Sequence, residues 1–165
     1  MKNFAFIFAR GGSKRIKNKN LQKIGKESLL AITIKQAQKI KNIHKIFIST
    51  DSKKISSTAK KYDVETIMRP KNLAKDMSSE WLAWQHAIKY VKKKLMFDKF
   101  ICLPVTSPLR SKIDIENCIK ELDNNKDIII TVQETNRNPW FNMVKFNNKN
   151  KIKIVNNDKN KIIDR

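Results

Sequence analysis

Apolar runs of strand length alternate along this chain with segments whose apolar residues recur at helical spacing, and this alternation constrains the fold more than any other feature. The runs comprise residues 4–9, 45–50, 64–68, 100–103 and 128–132. The helical segments comprise residues 29–40, 51–61, 80–95 and 113–122. Because strands joined by helices form right-handed crossovers, the pattern predicts an α/β protein of three layers, with helices on both faces of a mostly parallel sheet.

The alternation stops near residue 135, where Asn, Lys and Asp begin to dominate the sequence. We therefore predict an α/β domain at residues 1–135 and a β-rich segment at residues 136–165. In the second segment an apolar cluster precedes the alternating residues 151–155, and the two are predicted to pair as a hairpin. The cluster consists of Trp140, Phe141, Met143, Val144 and Phe146.

The formal net charge is +21, which raises the possibility of a nucleic-acid partner. The lysines are spread along the whole chain, however, and a chain-wide excess is more typical of solvated surfaces than of one basic patch. No apolar run approaches the roughly 20 residues that span a bilayer, and the apolar start at residues 4–9 is too short for a signal peptide. We expect a cytoplasmic protein without a membrane partner, in which Cys102 and Cys118 are reduced thiols.

The loop that follows the first strand, residues 9–20, combines two adjacent glycines with basic residues, and we call it the glycine loop. Gly11 and Gly12 allow backbone N–H groups to approach a phosphate. Arg10, Lys14 and Lys19 can neutralise a triphosphate, and Ser13 adds a hydroxyl. The loop matches neither the P-loop nor the dinucleotide-binding pattern, and the alternative interpretation is a basic surface turn.

In a chain so rich in lysine, the positions that keep arginine are informative. Arg10 and Arg15 flank the glycine pair, while Arg69 and Arg110 lie beside proline-containing loops at the carboxyl ends of predicted strands. Ligands of parallel sheets bind at these ends. Since a planar guanidinium suits phosphate, the placement favours phosphate contacts over chance.

Four motifs in order resemble those of the acylneuraminate cytidylyltransferases, the CMP–N-acetylneuraminic acid synthetase family. The glycine loop resembles the family's Ala-Arg-Gly-Gly-Ser-Lys signature with its following Lys-Asn pair. Residues 48–52 resemble the second-strand segment, residues 68–79 the Arg-Pro…Leu-Ala-x-Asp loop, and residues 106–110 the Thr-Ser-Pro-Leu-Arg motif. The resemblance covers residues 1 to about 145 and implies the nucleotide-diphospho-sugar transferase fold, which is Rossmann-like.

The resemblance also implies a reaction, in which the hydroxyl of a sialic-acid-like nonulosonic acid attacks the α-phosphate of CTP and pyrophosphate leaves. The catalytic residues would be Arg10 and Lys19. The nucleotide-binding residues would be Ala9, Arg10, Gly11, Gly12, Ser13, Lys14, Lys19, Asn20, Arg69 and Ser79. The sugar-binding residues would be Pro104, Thr106 and Ser107.

Family members usually extend past this length, and the resemblance places the Mg²⁺ ligands, an Asp-x-Asp pair, beyond residue 165. It implies a homodimer for the full-length form, with residues 136–165 as the start of a dimerisation arm. The expectation for the chain as given is nucleotide binding with poor turnover.

Two departures from the sialic acid type concern the sugar. Pro104-Val105 replaces a usual Gln-Pro, and residues 80–84 also differ. They suggest a different nonulosonate, such as legionaminate or pseudaminate. The alternatives are a CMP-Kdo-type or other sugar nucleotidyltransferase and, in another class, a basic nucleic-acid-binding domain.

Several single residues have a structural as well as a functional interpretation. Asp51 or Ser52 is predicted to cap the helix that follows, and for Asp51 a cap is favoured over a position near the nucleotide. The Trp81 and Trp84 pair, at helical spacing, is predicted to be core, and Cys102 to be a core residue rather than a nucleophile. His44 and His86 are predicted to lie on the surface without a catalytic role.

Overall fold

The computed structural model of the chain consists of two units, Met1–Ile129 and Ile130–Arg165. It describes residues 1–13, 15–75, 77–132, 134, 136–137, 139 and 143–156. The predicted assignment of residues 1–135 to nucleotide binding and of residues 136–165 to dimerisation stays a prediction.

A parallel sheet with helices on both of its faces forms the first unit. Its elements are β1 (Asn3–Phe8), a 3₁₀ turn (Lys19–Leu21), β2 (Lys23–Ile24), β3 (Glu27–Ser28), α1 (Leu29–Gln38), β4 (Lys45–Thr50), α2 (Lys53–Lys60), β5 (Glu65–Met68), a 3₁₀ turn (Lys71–Leu73), α3 (Glu80–Lys92), β6 (Lys99–Cys102) and α4 (Lys112–Glu121). The four long strands pair in the order β5-β4-β1-β6, all parallel. The predicted three-layer α/β/α fold is confirmed.

The central strand β1 is buried on both faces, as its continuous apolar run predicts. On one face Ala5 and Ile7 join a cluster that includes residues of α1, α2 and α4. On the other face Phe4 and Phe6 pack with Ala87 of α3 and with Phe47 of β4. Each large apolar side chain so buried contributes about 1.5–3 kcal/mol, and together they hold the sheet that positions the loops at its carboxyl edge.

A serine precedes each of the helices α2 and α3. Ser52, not Asp51, is the N-cap of α2, since its Oγ accepts a hydrogen bond from the Ile55 N–H, so the predicted capping role of Asp51 is wrong. Ser79 occupies the N-cap position of α3 without a side-chain capping bond. The Ser78 hydroxyl donates instead to the Asn72 carbonyl, 2.7 Å away, which closes the preceding loop.

The predicted fifth strand at residues 128–132 is wrong. These residues have no regular secondary structure, and Ile128, Ile130 and Val132 are 70%, 69% and 83% exposed. A strand forms only where a neighbour pairs with it, and no strand of the described part of the chain pairs with this segment. An apolar run predicts burial of side chains but cannot supply that neighbour.

The prediction that Trp81 is a core residue is also wrong, since its side chain is 58% exposed. Trp84, one helical turn later on α3, is half-buried and packs against Phe8 and Phe100. His86 on the same helix is half-buried, and burial lowers its pKa, as do the charges of Arg69 and Lys93. His44 precedes β4, and its Nδ1 accepts a hydrogen bond from the Asn3 N–H at 3.0 Å.

The described part of the second unit contains the predicted hairpin, formed by β7 (Val144–Phe146) and β8 (Ile152–Ile154). Val144 pairs with Ile154 and Phe146 with Ile152, so four apolar side chains share one face of the ribbon. All four are exposed, by 39% to 71%. Trp140 and Phe141 of the predicted cluster lie outside the described residues.

None of the helices in the described residues has the length and hydropathy needed to cross a membrane. Both cysteines are half-buried and unpaired, as predicted for reduced thiols.

Candidate active site

A cavity of about 880 Å³ opens at the carboxyl edge of the sheet, where the topology predicts a ligand site. Its walls come from the glycine loop, the segment after β5, the start of α3 and the loop after β6. The predicted site residues that line it are Arg10, Ser13, Lys19, Asn20, Arg69, Ser79, Pro104 and Thr106. Ala9, Gly11, Gly12 and Ser107 do not line it, and Lys14 lies outside the described residues. The volume is typical of small-molecule sites.

The glycine loop is held against the sheet by the loop that follows β4. A Cβ on Gly11 would lie 2.8 Å from the Ser52 Cβ, so only glycine fits there, whereas a Cβ on Gly12 would meet nothing within 4 Å. The Gly11 N–H donates to Asp51 Oδ1 at 2.8 Å. This amide is therefore already used within the protein, which revises the expectation that both glycine amides face a phosphate.

Lys19 and Asn20 reach the cavity because the chain turns sharply before them. Asn18 has a left-handed backbone with φ of 52°, and it starts the single 3₁₀ turn that contains both residues. Asn20 is 6% exposed, and its Nδ2 donates to the Arg10 carbonyl at 3.0 Å. The two ends of the glycine loop are thereby fixed to each other.

Arg69 follows β5 and is anchored on β4. Its Nε donates to the Ser49 hydroxyl at 3.2 Å, one Nη donates to the Ser49 carbonyl at 3.0 Å, and its guanidinium lies over the Phe8 ring at 5.7 Å. Burial lowers the pKa of Arg69, while the charges of Asp51 and Glu80 raise it. Because an arginine pKa begins far above neutrality, the side chain carries a positive charge into the cavity.

The Pro104–Arg110 loop forms the opposite wall and is organised by its own arginine. Arg110 donates to the Ser107 carbonyl at 2.8 Å and also to the Pro104 carbonyl. The Gln36 amide of α1 donates to the carbonyls of Pro108 and Arg110, at 2.7 and 3.2 Å. The Arg110 guanidinium therefore binds backbone carbonyls of its own loop, and a contact with phosphate stays a prediction.

Sequence reasoning missed Glu80 and Cys102 as cavity residues. Glu80 is the first residue of α3. The helix start predicted at residue 80 already places it next to Ser79, so the sequence could have identified it. Cys102 ends β6, and burial, followed by the charge of Glu80, raises its pKa to about 12. A thiol so protonated is a poor nucleophile, in agreement with its predicted role in packing.

No three His, Cys, Asp or Glu side chains lie close enough together to hold a metal ion within the described ranges. The single carboxylates near the cavity, Asp51 and Glu80, do not form such a group. These ranges therefore contain no three-residue metal cluster, and the prediction of metal ligands beyond residue 165 stays a prediction.

Comparison with known proteins agrees with this geometry. The sequence profile of the family described as Cytidylyltransferase matches residues 4–164. The chain belongs to this family. The sequence resemblance found in the four motifs is thus confirmed.

Curated relatives of the chain include proteins named for legionaminic and pseudaminic acids. The chain is 38% identical over 151 residues to CMP-N,N'-diacetyllegionaminic acid synthase of Campylobacter jejuni, covering 89% of this chain and 64% of the relative. It is 38% identical over 142 residues to post-translational flagellin modification protein B of Campylobacter coli, covering 84% and 60%. A pseudaminic acid cytidylyltransferase of Campylobacter jejuni is 37% identical over 114 residues, covering 68% and 49%. The chain thus spans about three fifths of the length of the first two of these relatives.

Solved structures agree on the fold alone. A CMP:2-keto-3-deoxy-manno-octonic acid synthetase complexed with CTP superposes with a TM-score of 0.61 at 20% identity, covering 73% of this chain and 46% of that one. A cytidylyltransferase from Leptospira borgpetersenii gives 0.58 at 19% identity, covering 74% and 49%. The family's nucleotide-diphospho-sugar transferase fold is therefore present in residues of the first unit.

Proposed function

We propose that the protein joins CTP to a nonulosonic acid, giving the CMP-sugar and pyrophosphate. The observation that carries the proposal is the convergence of six sequence-predicted nucleotide-binding residues on one cavity at the carboxyl edge of the sheet. These residues are Arg10, Ser13, Lys19, Asn20, Arg69 and Ser79. The three cationic side chains and two hydroxyls among these six residues suit a nucleoside triphosphate.

The proposed chemistry is a direct displacement at the α-phosphate by a hydroxyl of the sugar acid. Such a reaction depends on positioning and on neutralisation of charge. Arg10 and Lys19, on one wall, would stabilise negative charge on the phosphates. The Pro104 and Thr106 segment, on the facing wall, would position the sugar acid. The described residues contain no group of three side chains that could hold a metal ion. The family resemblance implies that Mg²⁺ would offset the negative charge on pyrophosphate.

Two features support a nonulosonic acid other than N-acetylneuraminic acid. Pro104-Val105 stands where the sialic acid type usually has Gln-Pro, and both residues line the cavity. Relatives at 38% and 37% identity are named for legionaminic and pseudaminic acids. A Kdo-type substrate is supported only by a structural likeness at 20% identity, which concerns the fold.

The test is pyrophosphate release from CTP in the presence of Mg²⁺ and a panel of sugar acids. The panel contains legionaminic, pseudaminic, N-acetylneuraminic and Kdo substrates. We expect slow turnover with one of the first two, and the Arg10→Ala variant serves as the inactive control. Turnover with Kdo but with no nonulosonic acid would contradict the proposed substrate class. Specific retention of RNA without CTP binding would favour the nucleic-acid-binding alternative.

We also propose a cytoplasmic homodimer, and the apolar face of the β7–β8 ribbon supports the dimer. An isolated two-stranded hairpin is marginally stable in water, so a face with four exposed apolar side chains gains from burial against a second copy. We expect Phe146→Lys to shift the protein from dimer to monomer in light scattering. Lys145→Ala changes a paired residue of the ribbon's other face and serves as the matched control.

A further inference from the structure

Two side chains hold the peptide group between Arg10 and Gly11 from both sides. One comes from the far end of the glycine loop and the other from the loop after β4. The carbonyl oxygen of this peptide accepts a hydrogen bond from Asn20 Nδ2 at 3.0 Å, and its N–H donates to Asp51 Oδ1 at 2.8 Å. Because the oxygen and the hydrogen of a trans peptide point in opposite directions, Asn20 and Asp51 lie on opposite edges of one plane. We call this pair the peptide clamp.

The glycine at position 11 is the reason that a clamp is needed. The close approach of Ser52 excludes any Cβ at this position, and glycine in turn permits backbone orientations that other residues resist. A rotation of the Arg10–Gly11 peptide would break both hydrogen bonds at once. The glycine loop continues from this peptide to Ser13, which lines the cavity.

Asp51 follows directly after β4, and its charge also acts on Arg69, whose pKa burial lowers and Asp51 raises. The Ser52 N–H donates to the Thr50 hydroxyl at 3.1 Å, and Thr50 is fully buried, so the loop that carries Asp51 is rigid. Ser52 provides the helix cap that the sequence suggested for Asp51. Asp51 also does not line the cavity, so its carboxylate acts through the loop that it binds.

We propose that Asp51, together with Asn20, is a positioning residue that holds the Arg10–Gly11 peptide in the orientation that presents the glycine loop to the phosphates of the nucleotide. This inference rests on the proposed function for the nature of the ligand. The positioning itself is a property of the protein without nucleotide. Arg69 and Ser79 line the cavity from other elements, so they do not depend on the clamp. Loss of the clamp should therefore weaken contacts with the phosphates and leave this other wall unchanged.

The first experiment tests the clamp without any ligand. Amide hydrogen exchange at Gly11, followed by NMR, is expected to be slow in the unmodified protein and at least about tenfold faster in Asp51→Ala. Asp123→Ala is the matched control, because Asp123 also accepts a backbone N–H bond, from Asn125 at 2.9 Å, but lies outside the cavity lining. Unchanged Gly11 exchange in Asp51→Ala would overturn the proposal, whatever the ligand is.

The second experiment compares CTP with cytidine, which lacks the phosphates. If loss of the clamp leaves the competent loop orientation populated about one tenth of the time, the Kd for CTP rises about tenfold. We expect that rise in Asp51→Ala, with cytidine affinity within about twofold of the unmodified protein. Asp51→Asn keeps an acceptor oxygen at the same place and should restore most of the CTP affinity.

Several outcomes separate this role from a merely structural one. An equal loss of CTP and cytidine affinity, or no loss of either, would overturn the phosphate-specific role. Asp51→Asn as weak as Asp51→Ala would show that the charge beside Arg69 matters rather than the hydrogen bond, which also overturns it. If the unmodified protein binds no CTP, the proposed function fails, while the exchange experiment still decides whether the clamp exists.

Asn20→Ala provides a second variant in case Asp51→Ala does not fold. It removes the opposite edge of the clamp and should give the same exchange signature at Gly11. In the double variant the loss of CTP affinity should be smaller than the product of the two single losses, because both residues hold one peptide. Multiplicative losses would show that the two side chains act independently, contrary to the proposal.

Discussion

Arg69 lines the cavity and Arg110 organises a loop that contributes to its wall, so the two guanidinium groups are used differently. Arg110 donates to carbonyls of its own loop, which shapes the wall that carries Pro104 and Thr106. Arg69 is anchored through Ser49 and still lines the cavity. Both sites need a planar group with several donors, which lysine does not provide. An arginine in a lysine-rich sequence therefore indicates a position that needs several hydrogen-bond donors, but not always a contact with a ligand.

The first prediction concerns the cationic residues of the cavity. Replacing Arg10 or Lys19 by alanine removes a charge-assisted contact to phosphate, which costs about 1.5–3 kcal/mol. We therefore expect CTP binding, measured by calorimetric titration, to weaken by roughly ten- to 150-fold. Lys112→Ala on α4, an exposed residue paired with Glu116, is the control and should bind normally. Normal affinity in both cavity variants would remove these residues from the site.

At the scale of elements, the loops after β1 and β4 depend on each other through a single close contact. Gly11→Ala would place a Cβ 2.8 Å from the Ser52 Cβ, whereas Gly12→Ala meets open space. Overpacking of this kind typically costs 1–3 kcal/mol. We expect urea unfolding to show that loss for Gly11→Ala and a change of less than about 0.5 kcal/mol for Gly12→Ala. Equal destabilisation by the two substitutions would contradict the contact.

The sequence was a good guide to elements whose signals are local. The apolar run of β1 and the helical spacing of α1 predict burial directly, and the motif residues of the site lie in loops whose position follows from the parallel sheet. The short β2–β3 pair around Gly25, where φ is 62°, carries no alternation and could not be predicted. The prediction of a strand at residues 128–132 was wrong for a different reason, because strand pairing depends on residues that are distant in the sequence.

Within the site, the sequence could identify residue types but not their partners. Asp51 was assigned to a helix cap because Asp-Ser before a helix fits that role equally well for either residue. Only the packing of two loops, 40 residues apart in sequence, shows that Asp51 meets Gly11. The carbonyl partners of Arg110 could not be predicted for the same reason, since they become its neighbours only when the loop folds back on itself.

At the scale of the whole molecule, the net charge of +21 attracts any nucleotide, so selectivity must come from the cavity. We expect the base to be recognised near Arg69 and Ser79, both of which line it. A ligand at a hundredfold excess over its Kd stabilises the folded state by about 2.7 kcal/mol. In thermal unfolding with CTP, ATP and UTP, CTP should therefore give the largest rise in Tm. Equal rises at moderate salt would indicate binding by charge alone.

Because the Cys102 thiol is protonated, we expect Cys102 to react more slowly with thiol reagents than Cys118 does. The chain has two cysteines, and the pKa of about 12 at Cys102 leaves almost no thiolate there at pH 7.5. A maleimide dye should therefore label Cys118 on α4 first, and mass spectrometry of the digested conjugate would check the site. Predominant labelling at Cys102 would contradict its protonated state. A fluorophore could thus be attached outside the cavity without any engineered residue, leaving the cavity intact for ligand titrations.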